Sequence, residues 1–343
     1  MLFAARAPSL TRVPPIAGTI KKQFDKIHAE NTEENRRRYR QLLFKTPGIE
    51  KYISGVILFD EQVFQKTDEG IPFPEYLRSK GMIPGIKVDQ GLVPLEGSAD
   101  ELRGKGLDDL LERCKVYKKQ GCDFAKWRCV IKISGQSLPS ERSVQHTVWC
   151  LAQYAACCQA AGLVPIVEPE ILPDGAHSLD RCKQVTIAVL KKQFAALGAY
   201  GVYLPGTLLK PNMVTPGMQC PERATADQIA EATVSAFHVS VPQEVTGVVF
   251  LSGGQSEEEA SVNLSAINRR KGSNRWTLTF SYGRALQASA QKVWAGRRDK
   301  EQAAQNELIR RAQANSQAAL GRYSGGVHSS AASDSLFEAK RVY

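Results

Sequence analysis

Short apolar runs alternate along the chain with longer stretches of helical periodicity. Runs at 52–59, 84–89, 123–130, 163–170, 201–204 continuing to 208–210, 246–252 and 276–281 read as buried strands. Helical patterns fall between them at 31–43, 107–119, 141–161, 179–197, 226–237, 257–268 and 300–320. The first opens on Asn31, with Glu34 three residues on as a capping box. Seven strand signals separated by helices, with no break that reads as a linker and no internal repeat, predict an α/β fold. Strands covered by helices on both faces are apolar throughout rather than alternating. Two architectures fit, an open doubly wound sheet and a closed (β/α)8 TIM barrel. An open sheet built to hold a dinucleotide should carry G-x-G-x-x-G after its first strand, and no such motif stands there.

The ionic residues inside these apolar runs sharpen the picture. Lys87 and Asp89, Lys126 and Arg128, and Glu168 and Glu170 are each two apart, Lys210 ends its run, and Arg284 follows Ser281. Side chains at i and i+2 point to one face of a strand. In a barrel that face is the interior near the carboxyl mouth, where active sites of this architecture sit. Charge at a frayed strand end explains any one pair, but not several in succession. A lysine amine crowded by other cations gives up its proton more readily and becomes a nucleophile toward carbonyls. A neighbouring carboxylate can move the protons that imine formation requires. The histidines (His28, His146, His177, His238 and His328) all fall on helices or loops. The expected site is therefore metal-free and needs no cofactor. Two glycine turns, Leu251-Ser252-Gly253-Gly254 and Ser281-Tyr282-Gly283-Arg284, offer backbone N–H groups and a guanidinium to a phosphate after the last two strands.

Composition narrows the partners. The 343 residues are 43% hydrophobic and 23% charged, which excludes a disordered or collagen-like chain and supplies a large core. Length alone suggests about two domains, but a barrel fills such a length as one. The net charge of +10 favours anionic partners such as phosphorylated metabolites or acidic surfaces. The basic runs Arg36-Arg37-Arg38, Arg269-Arg270-Lys271 and Arg297-Arg298 are short, scattered and without interleaved aromatics. They read as solvated helix faces, so no nucleic-acid partner is expected. The eight cysteines form no C-x-x-C pair and read as reduced thiols. The uncharged stretch 143–167 contains three glutamines, Gly162 and Pro165 and reads as a helix running into a buried strand, not a membrane span. Before Asp25 the chain holds Arg6 and Arg12 and no acid. The expected compartment is the cytoplasm, or an organelle if residues 1–17 belong to a transit peptide.

These segments together resemble the class I fructose-1,6-bisphosphate aldolases. The resemblance is carried by residues 30–37, Gly85-Ile86-Lys87-Val88-Asp89, Phe124-Ala125-Lys126-Trp127-Arg128, the run 165–172 around Glu168 and Glu170, Leu208-Leu209-Lys210-Pro211-Asn212, the run 250–257 and the run 279–286. It covers residues 18–343. It implies a glycolytic and gluconeogenic lyase on a TIM barrel, reversibly cleaving fructose 1,6-bisphosphate into two triose phosphates. By the resemblance, Lys210 forms the Schiff base, Lys126 keeps it nucleophilic, and Glu168 is the acid/base that Glu170 tunes. Asp89 and Arg128 line the pocket. Ser252, Gly253, Ser281, Gly283 and Arg284 bind the ketose phosphate, and Lys87 contacts the phosphate at the other end. Tyr343 is brought over the pocket by a flexible tail, and the assembly is a homotetramer.

The amino terminus departs from the family. Val13-Pro14-Pro15-Ile16-Ala17 stands where the family's first strand ends. Pro14 takes the place of the aspartate that accepts a proton in carbon–carbon cleavage, Ile16 that of a phosphate-contacting serine, and Gln23 that of a substrate-contacting arginine. Two successive prolines cannot donate ladder hydrogen bonds. The expectation is a barrel whose first strand is missing or degraded, with open sheet edges, lowered stability and impaired cleavage. The expected domains are an atypical segment 1–17, a barrel 18–320 and a tail 321–343. The competing reading is a catalytically weak aldolase-like binding or scaffold protein with a cytoskeletal partner. A transaldolase-like enzyme is disfavoured by the Lys126/Lys210 pair.

Overall fold

The apolar runs become the staves of one parallel sheet. The computed structural model describes residues 10–12, 19–272, 276–326 and 330–338. Its first part runs β1 (Leu10–Arg12), α1 (Thr19–Lys26), α2 (Glu33–Phe44), β2 (Gly55–Leu58), α3 (Asp60–Phe64), α4 (Phe73–Ser79) and β3 (Ile83–Lys87). A hairpin, β4 (Leu92–Pro94) and β5 (Leu102–Gly104), precedes α5 (Leu110–Lys119). Then come β6 (Phe124–Ile131), α6 (Glu141–Ala160), β7 (Val164–Ile171), α7 (Leu179–Ala199), β8 (Leu208–Leu209) and α8 (Ala226–Ser240). The chain continues with β9 (Gly247–Phe250), α9 (Glu257–Arg270), β10 (Thr277–Tyr282), α10 (Arg284–Trp294) and α11 (Glu301–Ala319). The sheet curls until it closes in the order β1-β10-β9-β8-β7-β6-β3-β2, every pair parallel.

The long helices start where their caps dictate. Ser140, Ser178, Thr225 and Ser256 each accept from the backbone N–H three residues on. Gln228 and Glu259 return the bond to complete capping boxes for α8 and α9. The cap of α2 is Thr32 and not Asn31: Thr32 is extended and accepts from Asn35 N at 3.1 Å. Asn31 Oδ1 instead accepts from the Arg36 guanidinium.

The expectation of a missing first strand is corrected by β1. Its residues precede the prolines, so the ladder needs no N–H from Pro14 or Pro15, which lie outside the described residues. Leu10 pairs with both Gly55 and Ser281, and Arg12 with Ile57, so β2 and β10 are not open edges. The destabilisation expected from such edges loses its basis. Three residues bounded by Ser9 and Val13 give no apolar run, which is why the periodicity misses this strand. The segment 201–204 is also not a strand. Leu204–Gly206 forms a 3-10 turn and Tyr203 is 67% exposed, so β8 is only two residues long. Helices α1, α3, α4 and α10 and the β4–β5 hairpin were not legible either.

The ring has an apolar floor. Ile57, Phe124, Ile166, Leu208 and Val249 cluster inside it. Gly85 faces Phe124 so closely that a Cβ there would lie 2.2 Å from the ring. Gly85→Ala is expected to lower stability by about 1–3 kcal/mol through overpacking, read as a lower urea midpoint. An unchanged midpoint would show that Phe124 has another rotamer to occupy. Outside the ring, Trp127, Tyr154, Phe237, Phe250, Trp276 and Trp294 fill the layer beneath the helices. The basic run of α2 is taken up by carboxylates: Arg36 by Glu61, Arg37 by Glu34 and Asp68, Arg38 by Glu301. All eight cysteines are free thiols, and burial pushes Cys122 up to about 12 and Cys182 up to about 11. No helix among the described residues is long and apolar enough to cross a membrane.

Candidate active site

Strand register carries the charges onto one inner surface. Lys87 stands beside Lys126, and Arg128 beside Glu168. Lys126, Glu168 and Lys210 are 0%, 1% and 1% exposed, which disposes of surface charge at frayed ends. Lys210 continues the line of β8, its backbone N–H donating to Val167 O at 2.8 Å. The next strand takes over beyond it, Leu251 N donating to Pro211 O at 3.0 Å.

The side chains meet in one connected network. Glu168 lies between two amines, Oε2 at 3.1 Å from Lys126 Nζ and Oε1 at 3.2 Å from Lys210 Nζ. Asp89 extends it, with Oδ2 at 3.4 Å from Lys126 Nζ and accepting from Arg128 N at 3.2 Å. Lys87 donates to Asp89, and Arg128 Nε donates to Glu170. Lys87, Lys126, Arg128 and Lys210 therefore face Asp89, Glu168 and Glu170, four cations against three carboxylates in a closed interior. Full protonation of all three lysines leaves one surplus positive charge, and such burial is costly. Asn212, part of the Lys210-Pro211-Asn212 motif but given no role from sequence, braces this wall: its Oδ1 accepts from Ile171 N at 2.9 Å.

The glycine turns lie at the carboxyl ends of the adjacent strands β9 and β10. Gly253 and Gly254 have φ of +55° and +86°, left-handed conformations that glycine adopts without strain. Gly283 is the N-cap of α10 and Arg284 its first residue, so the helix presents N–H groups at this turn. Ser252 is buried, as are Ser281 and Thr279, whose hydroxyls have no hydrogen-bond partner among the described residues. Thr279 was not singled out from sequence, because a threonine in a β-run carries no chemical signal of its own.

Gln23 on α1 lines the same cavity as Arg284, and residues 334–338 of the tail cross it, Arg284 donating to Leu336 O. Tyr343, Pro14 and Ile16 lie outside the described residues.

Comparison with known proteins gives this arrangement a family. A family model described as "Glycolytic: Fructose-bisphosphate aldolase class-I" matches residues 14–343. The chain is 57% identical over 326 residues to a Drosophila melanogaster fructose-bisphosphate aldolase, covering 95% of this chain and 90% of the relative. It is 55% identical over 327 residues to the Mus musculus fructose-bisphosphate aldolase C, again covering 95% and 90%. A solved Plasmodium falciparum fructose-bisphosphate aldolase, in complex with TRAP and a small-molecule inhibitor, superposes with a TM-score of 0.92 at 50% identity, covering 94% of this chain and 93% of that one. The chain belongs to the class I fructose-bisphosphate aldolases and is a lyase of that family.

Proposed function

We propose that Lys210 is the Schiff-base nucleophile of this aldolase and that Glu168 moves the protons of its reaction with the ketose. The observation that carries the reading is the single carboxylate shared by two buried amines, at 3.1 and 3.2 Å. Discharging one lysine balances four cations against three carboxylates, and the discharged nitrogen then has its lone pair for attack. The amine adds to the ketose carbonyl of fructose 1,6-bisphosphate to give a carbinolamine. Glu168 delivers a proton to the departing hydroxyl, water leaves, and the protonated imine remains. Lys126 keeps positive charge beside that centre, and Asp89, Arg128 and Glu170 hold the surrounding walls. Cleavage of the carbon–carbon bond puts its electron pair into the imine as an enamine and releases glyceraldehyde 3-phosphate. Protonation of the enamine and hydrolysis of the imine return dihydroxyacetone phosphate and the free amine.

The phosphate of the ketose end is assigned to Ser252, Gly253, Ser281, Gly283 and Arg284, on the strength of free N–H groups at a helix start, an unpartnered buried hydroxyl and a guanidinium. Lys87 takes the phosphate of the other end, and Tyr343 exchanges the proton at the enamine carbon. With β1 as one of its staves the barrel begins at Leu10 and runs to residue 320, and the tail is 321–343. The protein works as a cytoplasmic homotetramer without metal or cofactor. The test is borohydride trapping with dihydroxyacetone phosphate. Mass spectrometry should find the reduced adduct on Lys210; an unlabelled Lys210 would reject the assignment. The second reading, a scaffold protein, draws on the +10 charge, which suits acidic filaments. Filament co-sedimentation with no trapped imine would favour it.

A further inference from the structure

The carboxyl-terminal segment sets a carboxylate beside the guanidinium assigned to phosphate. Residues 334–338 cross the ends of β9 and β10. Leu336 N donates to Gly254 O at 3.2 Å, and Arg284 donates to Leu336 O. Phe337 lies against Gly254, where an added Cβ would come within 3.1 Å of Phe337 Cα. Glu338 Oε1 is 2.8 Å from Lys26 Nζ, and Glu338 Oε2 is 4.0 Å from Arg284 Nη1. These groups rim a cavity of about 290 Å³ that Gln23, Gly283 and Gln287 also line. A contact between Asp334 and Lys292 at 3.4 Å ties down the near end of the segment.

We propose that this segment is a built-in competitor for the ketose phosphate. Glu338 occupies the cationic rim made by Arg284 and Lys26, and phosphate must displace it before the ketose settles on Lys210. The proposal rests on the assignment of Arg284 to phosphate. A guanidinium binds carboxylate and phosphate through the same donor geometry. A phosphate brings more charge and one more acceptor oxygen than a carboxylate, so it wins when present and leaves the carboxylate in place when absent. The second cation of the rim is supplied one helical turn past Gln23, on the same face of α1. Gln23 itself is neutral; its amide oxygen lies 3.5 Å from Gln291 Nε2. Lys26 is therefore the cation of α1 that a tail carboxylate meets here. Both acidic residues of the segment, Asp334 and Glu338, are paired with lysines of the helices that flank the phosphate turn.

The hold is weak by design of its surroundings. The Lys26 side chain is 65% exposed, so salt screens its pair with Glu338. A segment held closed by such contacts lowers the apparent phosphate affinity by the fraction of open molecules, up to about fivefold. The test is calorimetric titration of inorganic phosphate into the full chain and into the Glu338→Gln and Arg284→Gln variants. Glu338→Gln is expected to bind phosphate about two- to fivefold more tightly than the parent. The dihydroxyacetone phosphate concentration that half-saturates borohydride trapping should fall by the same factor, and added salt should narrow the gap. Arg284→Gln is expected to weaken phosphate binding. Equal affinity of parent and Glu338→Gln, with Arg284→Gln weakened, overturns the competitor while leaving the phosphate assignment intact. Unaltered binding by Arg284→Gln overturns that assignment and the competitor with it.

Discussion

Lys210→Met is expected to abolish borohydride trapping and to lower aldol cleavage by about 10⁵-fold or more, the scale of losing a covalent nucleophile. Methionine matches the unbranched stem of lysine, so the buried volume is kept. Glu168 is not stranded, because Lys126 Nζ remains 3.1 Å away. The variant should fold, and circular dichroism with a thermal midpoint near that of the parent would establish that the loss is chemical. Lys126→Met is the informative companion. It leaves the Lys210 amine in place and removes the neighbour with which it shares Glu168, so the adduct should still form on Lys210, more slowly. Trapping and turnover retained in Lys210→Met would move the nucleophile elsewhere, and Lys126, as the other amine on Glu168, would be the first place to look.

The inner surface of the ring was legible because its charges interrupt apolar runs at a spacing of two. Lys126 with Arg128, and Glu168 with Glu170, could share a face only on a strand. Burial then follows from the helices that cover the sheet, and all four are buried. Lys210 was legible for the same reason at the end of Leu208-Leu209. What stayed hidden was local structure whose cause is tertiary. β1 is too short for a periodicity and exists because β2 and β10 offer it two rows of hydrogen-bonding partners. Helix α10 carries its apolar face within eleven residues and is capped by Gly283, which the sequence marks only as a turn. The strap of 334–338 lies in a segment rich in small residues, and its acidic residues acquire meaning only when Lys26, Arg284 and Lys292 are brought to them from α1 and α10. Charges fixed by a strand's own alternation are readable along the chain. Contacts between distant elements are not.

Imine formation and carbon–carbon cleavage are expected to part company in this chain. On the proposed roles, imine formation needs Lys210, Lys126 and Glu168, which stand together in one network. Cleavage further requires a base for the proton on the hydroxyl next to the breaking bond, and the residue that the family resemblance aligns with that base is Pro14, which has no acid–base chemistry. Among the described residues, the carboxylates that face the ring are already engaged: Glu168 with Lys126 and Lys210, Asp89 with Lys87 and Lys126, Glu170 with Arg128. Recruiting one of them breaks an ion pair in a buried interior, which adds to the barrier. Absence of a positioned base typically costs about 10²–10⁴-fold. Single-turnover experiments should therefore show rapid adduct formation with dihydroxyacetone phosphate and cleavage of fructose 1,6-bisphosphate slower by about that factor. Pro14→Asp should recover at least about tenfold in cleavage with the rate of adduct formation unaltered, since it restores the acid–base group that the family resemblance aligns with this position. Cleavage as fast as adduct formation in the parent would mean that a carboxylate of the ring takes the proton after all. Glu168, 3.2 Å from Lys210, would then be serving both steps, and Glu168→Gln would suppress the two in equal measure.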